Sequence, residues 1–150
     1  MKMNARILSR GVYGGLAGGV VFGAMMGMMG MLPMIGQMIG YPNAAAGFVV
    51  HMVNSAIIGA GFTVVFSQAA KSLGTGISTG VLYGGIWWLL GPLTLMPLFM
   101  GMGFGVNWNA AAAVAMLPSL AGHLMYGTIL GAVFALSGAR KLAYAAARSG

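Results

Sequence analysis

Apolar residues fill four long blocks of this chain, about 11–32, 47–67, 76–99 and 119–138, with no charged side chain inside any of them. Crossing a hydrocarbon core of roughly 30 Å takes about 20 helical residues. Each block meets that length, so the pattern predicts an all-α membrane protein with four transmembrane helices. The links at 33–46 and 100–118 carry no charge. Pro33, Pro42, Pro97 and Pro118 lie in or beside them, with Asn43, Asn107 and Asn109 as candidate helix caps. Tyr41 and Trp108 suit a membrane interface. Pro92 falls inside the third block and predicts a kink there.

Composition removes the soluble alternative. Charged residues are 5% of the chain and hydrophobic ones 59%, against about 25% charged in a soluble domain. All seven charges are basic: Lys2, Arg6, Arg10, Lys71, Arg140, Lys141 and Arg148. They flank apolar blocks and do not gather on one folded surface, so nucleic acid is not expected as a partner and the lipid bilayer is. By the positive-inside rule the two ends and the link carrying Lys71 face the cytoplasm, and the uncharged links face outward. Some of these cations are also placed to touch anionic headgroups. The first block follows basic residues as a signal peptide would, but its apolar run is too long for a typical h-region, and it is expected to be retained. The location this implies is a prokaryotic cytoplasmic membrane.

The chain has no Cys, Asp or Glu. That excludes thiolate chemistry, paired-carboxylate acid–base chemistry, a Ser–His–Asp triad and carboxylate-held Ca²⁺ or Mg²⁺. No enzymatic activity and no obligatory cofactor are expected.

The chain also repeats itself. Gly11-Val12-Tyr13-Gly14-Gly15 parallels Gly80-Val81-Leu82-Tyr83-Gly84-Gly85, and HMVNSAIIGAGF at 51–62 parallels HLMYGTILGAVF at 123–134. The His, Ile, Gly, Ala and Phe shared by the second pair imply one domain over 1–150. It is made of a hairpin at about 8–68, a second at about 76–138, and a basic tail at 139–150. Parallel repeats are related by an axis along the membrane normal.

Small residues recur every four positions. Gly11, Gly15, Gly19, Gly23 and Gly27 line one face of the first helix; Gly59, Gly127 and Gly131 belong to matching stripes on the second and fourth. Such stripes let backbones approach closely in lipid. They predict a tight bundle, and the first stripe is also a candidate homo-oligomer contact.

His51 and His123 head the stripes of the second and fourth helices. Asn54, Ser55 and Tyr126 lie within a turn of them. The structural reading has each imidazole tying helices together through a carbonyl or hydroxyl. The functional alternative is a polar intramembrane site, as in a small transporter or channel. A third is ligation of haem or Cu(I). Methionine supplies soft thioether ligands, and the pairs Met25/Met29 and Met34/Met38 have one-turn spacing; as structural residues they fill gaps beside glycine.

The stretches GVYGGLAGGVVFGAMM, FVVHMVNSAIIGAGF and LAGHLMYGTILGAVFAL resemble small four-span prokaryotic inner-membrane proteins of unknown function, YagU-like families among them. The element from Gly122 to Gly131 is the most specific part. The resemblance implies a four-helix integral membrane protein and supplies no catalytic residues. YagU-like proteins are longer and more charged, and the absence of acids departs from their pattern. The leading expectation is a non-enzymatic structural or accessory membrane component.

Overall fold

The computed structural model describes the backbone of residues 5–149 and the side chains of residues 5–138. Lys2, and the side chains of Arg140, Lys141 and Arg148 in the basic tail, lie outside the described residues. Among the described residues there is no strand. The helices are α1 (Ala5–Met28), α2 (Leu32–Gln37), α3 (Ala44–Phe66), α4 (Leu73–Leu90), a π-helical segment at Gly91–Leu95, α5 (Met96–Phe99), α6 (Ala110–Ala115) and α7 (Leu117–Ser149).

Four rods are long and apolar enough to cross a membrane: Ala5–Met28, Ala44–Phe66, Leu73–Phe99 and Leu117–Gly138. The first starts earlier than its apolar block, so Arg6 and Arg10 are inside the helix. The uncharged links, expected as loops, each contain one short helix, α2 and α6. The backbone of the basic tail continues α7.

Side-chain chemistry sets the helix starts. Asn43 Oδ1 accepts from the Ala46 N–H at 2.9 Å, and Asn109 Oδ1 accepts from Ala112 N–H at the same distance. Asn107, the third candidate cap, does not start a helix. Ser72 and Thr75 form a reciprocal capping box at the start of α4. Gly30, just past α1, sits at φ 68°, where a Cβ would be strained. Pro92 does not break its helix. It widens one turn into π geometry, and Thr94 Oγ1 donates to Leu89 O at 2.7 Å across it.

The rods pack in two antiparallel pairs, α1 with α3 and α4 with α7. Contact is backbone to backbone. A Cβ on Gly15 would meet Ser55 O and Gly59 Cα; one on Gly80 would meet Gly127 O; one on Gly131 would meet Gly76 O. The second face of α1 joins the pairs: Gly14 and Gly18 lie against the Leu130 and Tyr126 backbones of α7. By contrast, α3 and α4 barely touch. Large aliphatics face outward, among them Val53, Ile57 and Val64, each more than half exposed. Glycines lie inside and branched chains outside, the reverse of a water-soluble bundle.

The pairing sets Gly11 beside Thr63 and Gly59, which brings the start of α1 to the end of α3. Arg6, Arg10 and Lys71 therefore share one end of the bundle. At that end an aromatic layer closes the interior: Phe62 lies 5.4 Å from Phe66 and 5.5 Å from both Tyr83 and Phe134, centroid to centroid.

Even a methyl group at Gly80 collides with a backbone carbonyl that has nowhere to move, whereas Gly74 has no heavy atom within 4 Å of a built Cβ. Gly80→Ala should lower stability by about 1–3 kcal/mol. Gly74→Ala should be neutral or mildly stabilising. Thermal denaturation of the detergent-solubilised protein compares the two; equal midpoints would remove the packing argument.

Candidate functional site

Away from the aromatic layer, the gap between α3 and α4 widens into a chamber of about 310 Å³. Its wall includes His51, Asn54, Ser55, His123 and Tyr126, so one cavity gathers the whole expected polar set. The rest is mainly apolar: Phe22 and Met26 from α1, Ile58 from α3, Trp87 from α4, and residues of α2 and the π-helical turn.

Each histidine is fixed by a carbonyl, which can only accept. His51 Nε2 lies 2.9 Å from Gly19 O, so Nε2 carries the proton and donates across to α1. Gly23 makes room for this ring; a Cβ there would lie 3.1 Å from His51 Cδ2. Ser55 Oγ stands 3.5 Å from the same nitrogen. His123 has the other tautomer. Its Nδ1 lies 2.8 Å from Ser119 O of its own helix and donates there. That leaves Nε2 as a lone pair toward the π-helical turn, where a Cβ on Gly91 would be 3.7 Å away.

The histidines are not bonded to each other. The Phe22 ring packs edgewise on both, with centroids 5.4 Å from His51 and 4.8 Å from His123. Neither Asn54 nor Tyr126 bonds its neighbouring histidine, although the one-turn spacing allowed it. Asn54 is exposed on the chamber wall. Tyr126 reaches over Gly15 and donates to Ser55 O at 2.8 Å, tying α7 to α3. The Trp87 indole N–H is covered and has no acceptor among the described residues.

The methionines divide. Met34 and Met38 line the chamber, while Met25 packs against the core from outside it and Met29 is 46% exposed. The two pairs share a spacing but not their surroundings. The methionines that line the chamber with the two histidines are Met34 and Met38 together with Met26, Met31, Met96 and Met116.

Phe22, Trp87 and Arg10 were not singled out from sequence. Phe22 had a readable signal, since it follows Gly14 and Gly18 at the same four-residue step and is the first large residue after them on that face. Arg10 was counted only as a topological charge, yet it is half-buried and bonded to α7.

Comparison of the chain with protein-family models, with curated proteins and with solved structures finds no match.

Removing the Tyr126 hydroxyl leaves Ser55 O without its donor from α7. Tyr126→Phe should cost about 0.6–1.7 kcal/mol, the range of interhelical hydrogen bonds in membranes. Tyr13→Phe, at a two-thirds exposed position, should cost nothing. A thermal midpoint for Tyr126→Phe equal to that of the unaltered chain would show the bond idle.

Proposed function

We propose that this chain is a four-span integral membrane protein of the prokaryotic cytoplasmic membrane, related to the small YagU-like inner-membrane families, and that it binds rather than transforms. In this reading it is a non-enzymatic accessory component. Its working part is the His51/His123 chamber, which takes a small, largely apolar molecule from the bilayer. One observation carries the proposal: a cavity large enough for such a molecule reaches both imidazoles, and its edge residues Ile57 and Phe99 are more than 60% exposed on the bundle's side. The aromatic layer of Phe62, Phe66, Tyr83 and Phe134 fills the path beyond it, which favours a blind pocket over a channel. Ligand pockets are commonly mostly apolar with a few placed polar groups. Here the His123 lone pair and Asn54 would be those groups.

The same proposal includes an internal duplication and a glycine-based bundle. Its support is that Gly11, Gly15 and Gly19 meet α3 as Gly76, Gly80 and Gly84 meet α7. This contact register differs from the alignment of the two Tyr-Gly-Gly motifs: Tyr83 is buried and donates to Ile58 O at 2.9 Å, while Tyr13 faces outward. The proposed topology has both termini and Lys71 cytoplasmic.

Two measurements test these points. The chain has no cysteine, so single cysteines report without background. A membrane-impermeant maleimide added to intact cells should label Tyr41→Cys and spare Lys71→Cys; the reverse would invert the topology. For the chamber, the apolar fluorophore aminoanthracene should bind saturably to the purified protein. Ile58→Trp, which fills the cavity, should abolish binding, and Val65→Trp, on an exposed face, should not. Identical uptake by both variants would end the chamber reading.

A further inference from the structure

Arg10 brings a full positive charge into the contact between α1 and α7. Its Nε donates to Phe134 O at 3.2 Å and lies 3.3 Å from Ser137 Oγ, and its Nη2 donates to Phe134 O at 2.5 Å. The guanidinium carbon stands 4.2 Å from the centroid of the Phe134 ring. Gly138 leaves the space it fills: a built Cβ there would meet Nη2. Carbonyls, a hydroxyl and an aromatic face orient a guanidinium, but none of them neutralises it. No carboxylate side chain exists anywhere in the 150 residues to do so.

Two further features sharpen the need for an anion. Nη1 has no hydrogen-bond partner among the described residues, so its two N–H donors and the second N–H of Nη2 remain after the grip on α7. Arg6 lies one helical turn before Arg10 and is exposed. Like charges at i and i+4 repel, and an anion between them turns repulsion into a clamp. The side chain is also held in place in advance, which reduces the ordering cost of binding.

We propose that Arg10, assisted by Arg6, binds the phosphate of an anionic glycerophospholipid at the Lys71 end of the α1–α7 seam. The shared chemistry is a phosphate anion; the lipid is favoured over free phosphate because the site lies at the start of a membrane-length apolar helix with Tyr13 exposed one turn further on. Basic pockets between membrane helices take lipid headgroups in this way. The inference rests on the bilayer reading above and is independent of the chamber.

The full chain is reconstituted in nanodiscs, which tests the bilayer reading by itself, and lipid retention is then followed by native mass spectrometry. Phosphatidylglycerol should be retained over phosphatidylcholine. Each basic residue near a bilayer surface contributes about fivefold to such a preference. Arg10→Gln should remove about that factor and Arg6→Gln a smaller one, while Lys71→Gln leaves it unchanged. Arg10→Lys keeps the charge but loses the fork, and should fall between. Because Arg10→Gln also loses a tether, thermal midpoints are compared in the two lipids. A structural role lowers both midpoints equally; the lipid site lowers mainly that in phosphatidylglycerol. If Arg10→Gln and Arg6→Gln keep the full preference, or inorganic phosphate stabilises the solubilised protein as well as phosphatidylglycerol does, the proposal is overturned.

Discussion

Everything in this bundle depends on backbones meeting without side chains between them. Where Gly76 faces Gly131 and Gly80 faces Gly127, an added methyl would overlap a carbonyl oxygen. In hydrocarbon, apolar side chains gain little by turning inward, because lipid is as apolar as they are. Dispersion between closely fitted backbones and a few hydrogen bonds must hold the rods together. The interior is therefore rich in glycine, with serine, threonine, aromatics and a few aliphatics such as Leu130 and Ile7 beside it, while most valines face outward. The buried polar groups follow from this: Tyr126, Tyr83 and His51 each donate to a carbonyl on a neighbouring helix.

The same constraint explains the chamber. α1 has glycine on two faces and contacts both α3 and α7 closely. α3 and α4 have no matching small stripes toward each other, so they stay apart. Near Lys71 the gap is filled by rings. Toward the proline-rich end, Phe22 props α1 against both histidines, and the space beyond it stays empty. A pocket between α3 and α4 is thus what remains when three seams of a four-helix bundle are glycine-tight and rings fill one end of the fourth.

Much of this was readable in the chain. Block lengths marked the four rods, four-residue glycine steps marked the faces of α1, and Asn43 and Asn109 announced helix starts. His51, Asn54, Ser55, His123 and Tyr126, grouped by their spacing, line one cavity. Other features were hidden, for physical reasons. Which carbonyl each imidazole binds depends on interhelical register, and no single helix encodes it. Met25/Met29 and Met34/Met38 have identical spacing, but α1 ends at Met28, so Met34 sits on the separate short helix α2 with Met38 as its C-terminal cap. Arg10 was hidden by its own residue type: a basic residue before an apolar block reads as a topology signal, and only the neighbouring α7 carbonyl shows it as a tether.

The π-helical turn at Gly91–Leu95 has an effect on phase. Gly76, Gly80 and Gly84 are buried at steps of four, and continuing that count points to residues 88, 92 and 96. The buried positions beyond the turn are Leu93, Thr94 and Pro97, and Leu93 and Pro97 fall one place later than that count. A wide turn accommodates one surplus residue, and here it slips the inward stripe forward by that amount. The rod can thus pass Pro92 and still present a coherent inner edge on the far side. Anyone extrapolating an ideal helical wheel from the lower half of this rod would assign the wrong side chains to the upper half.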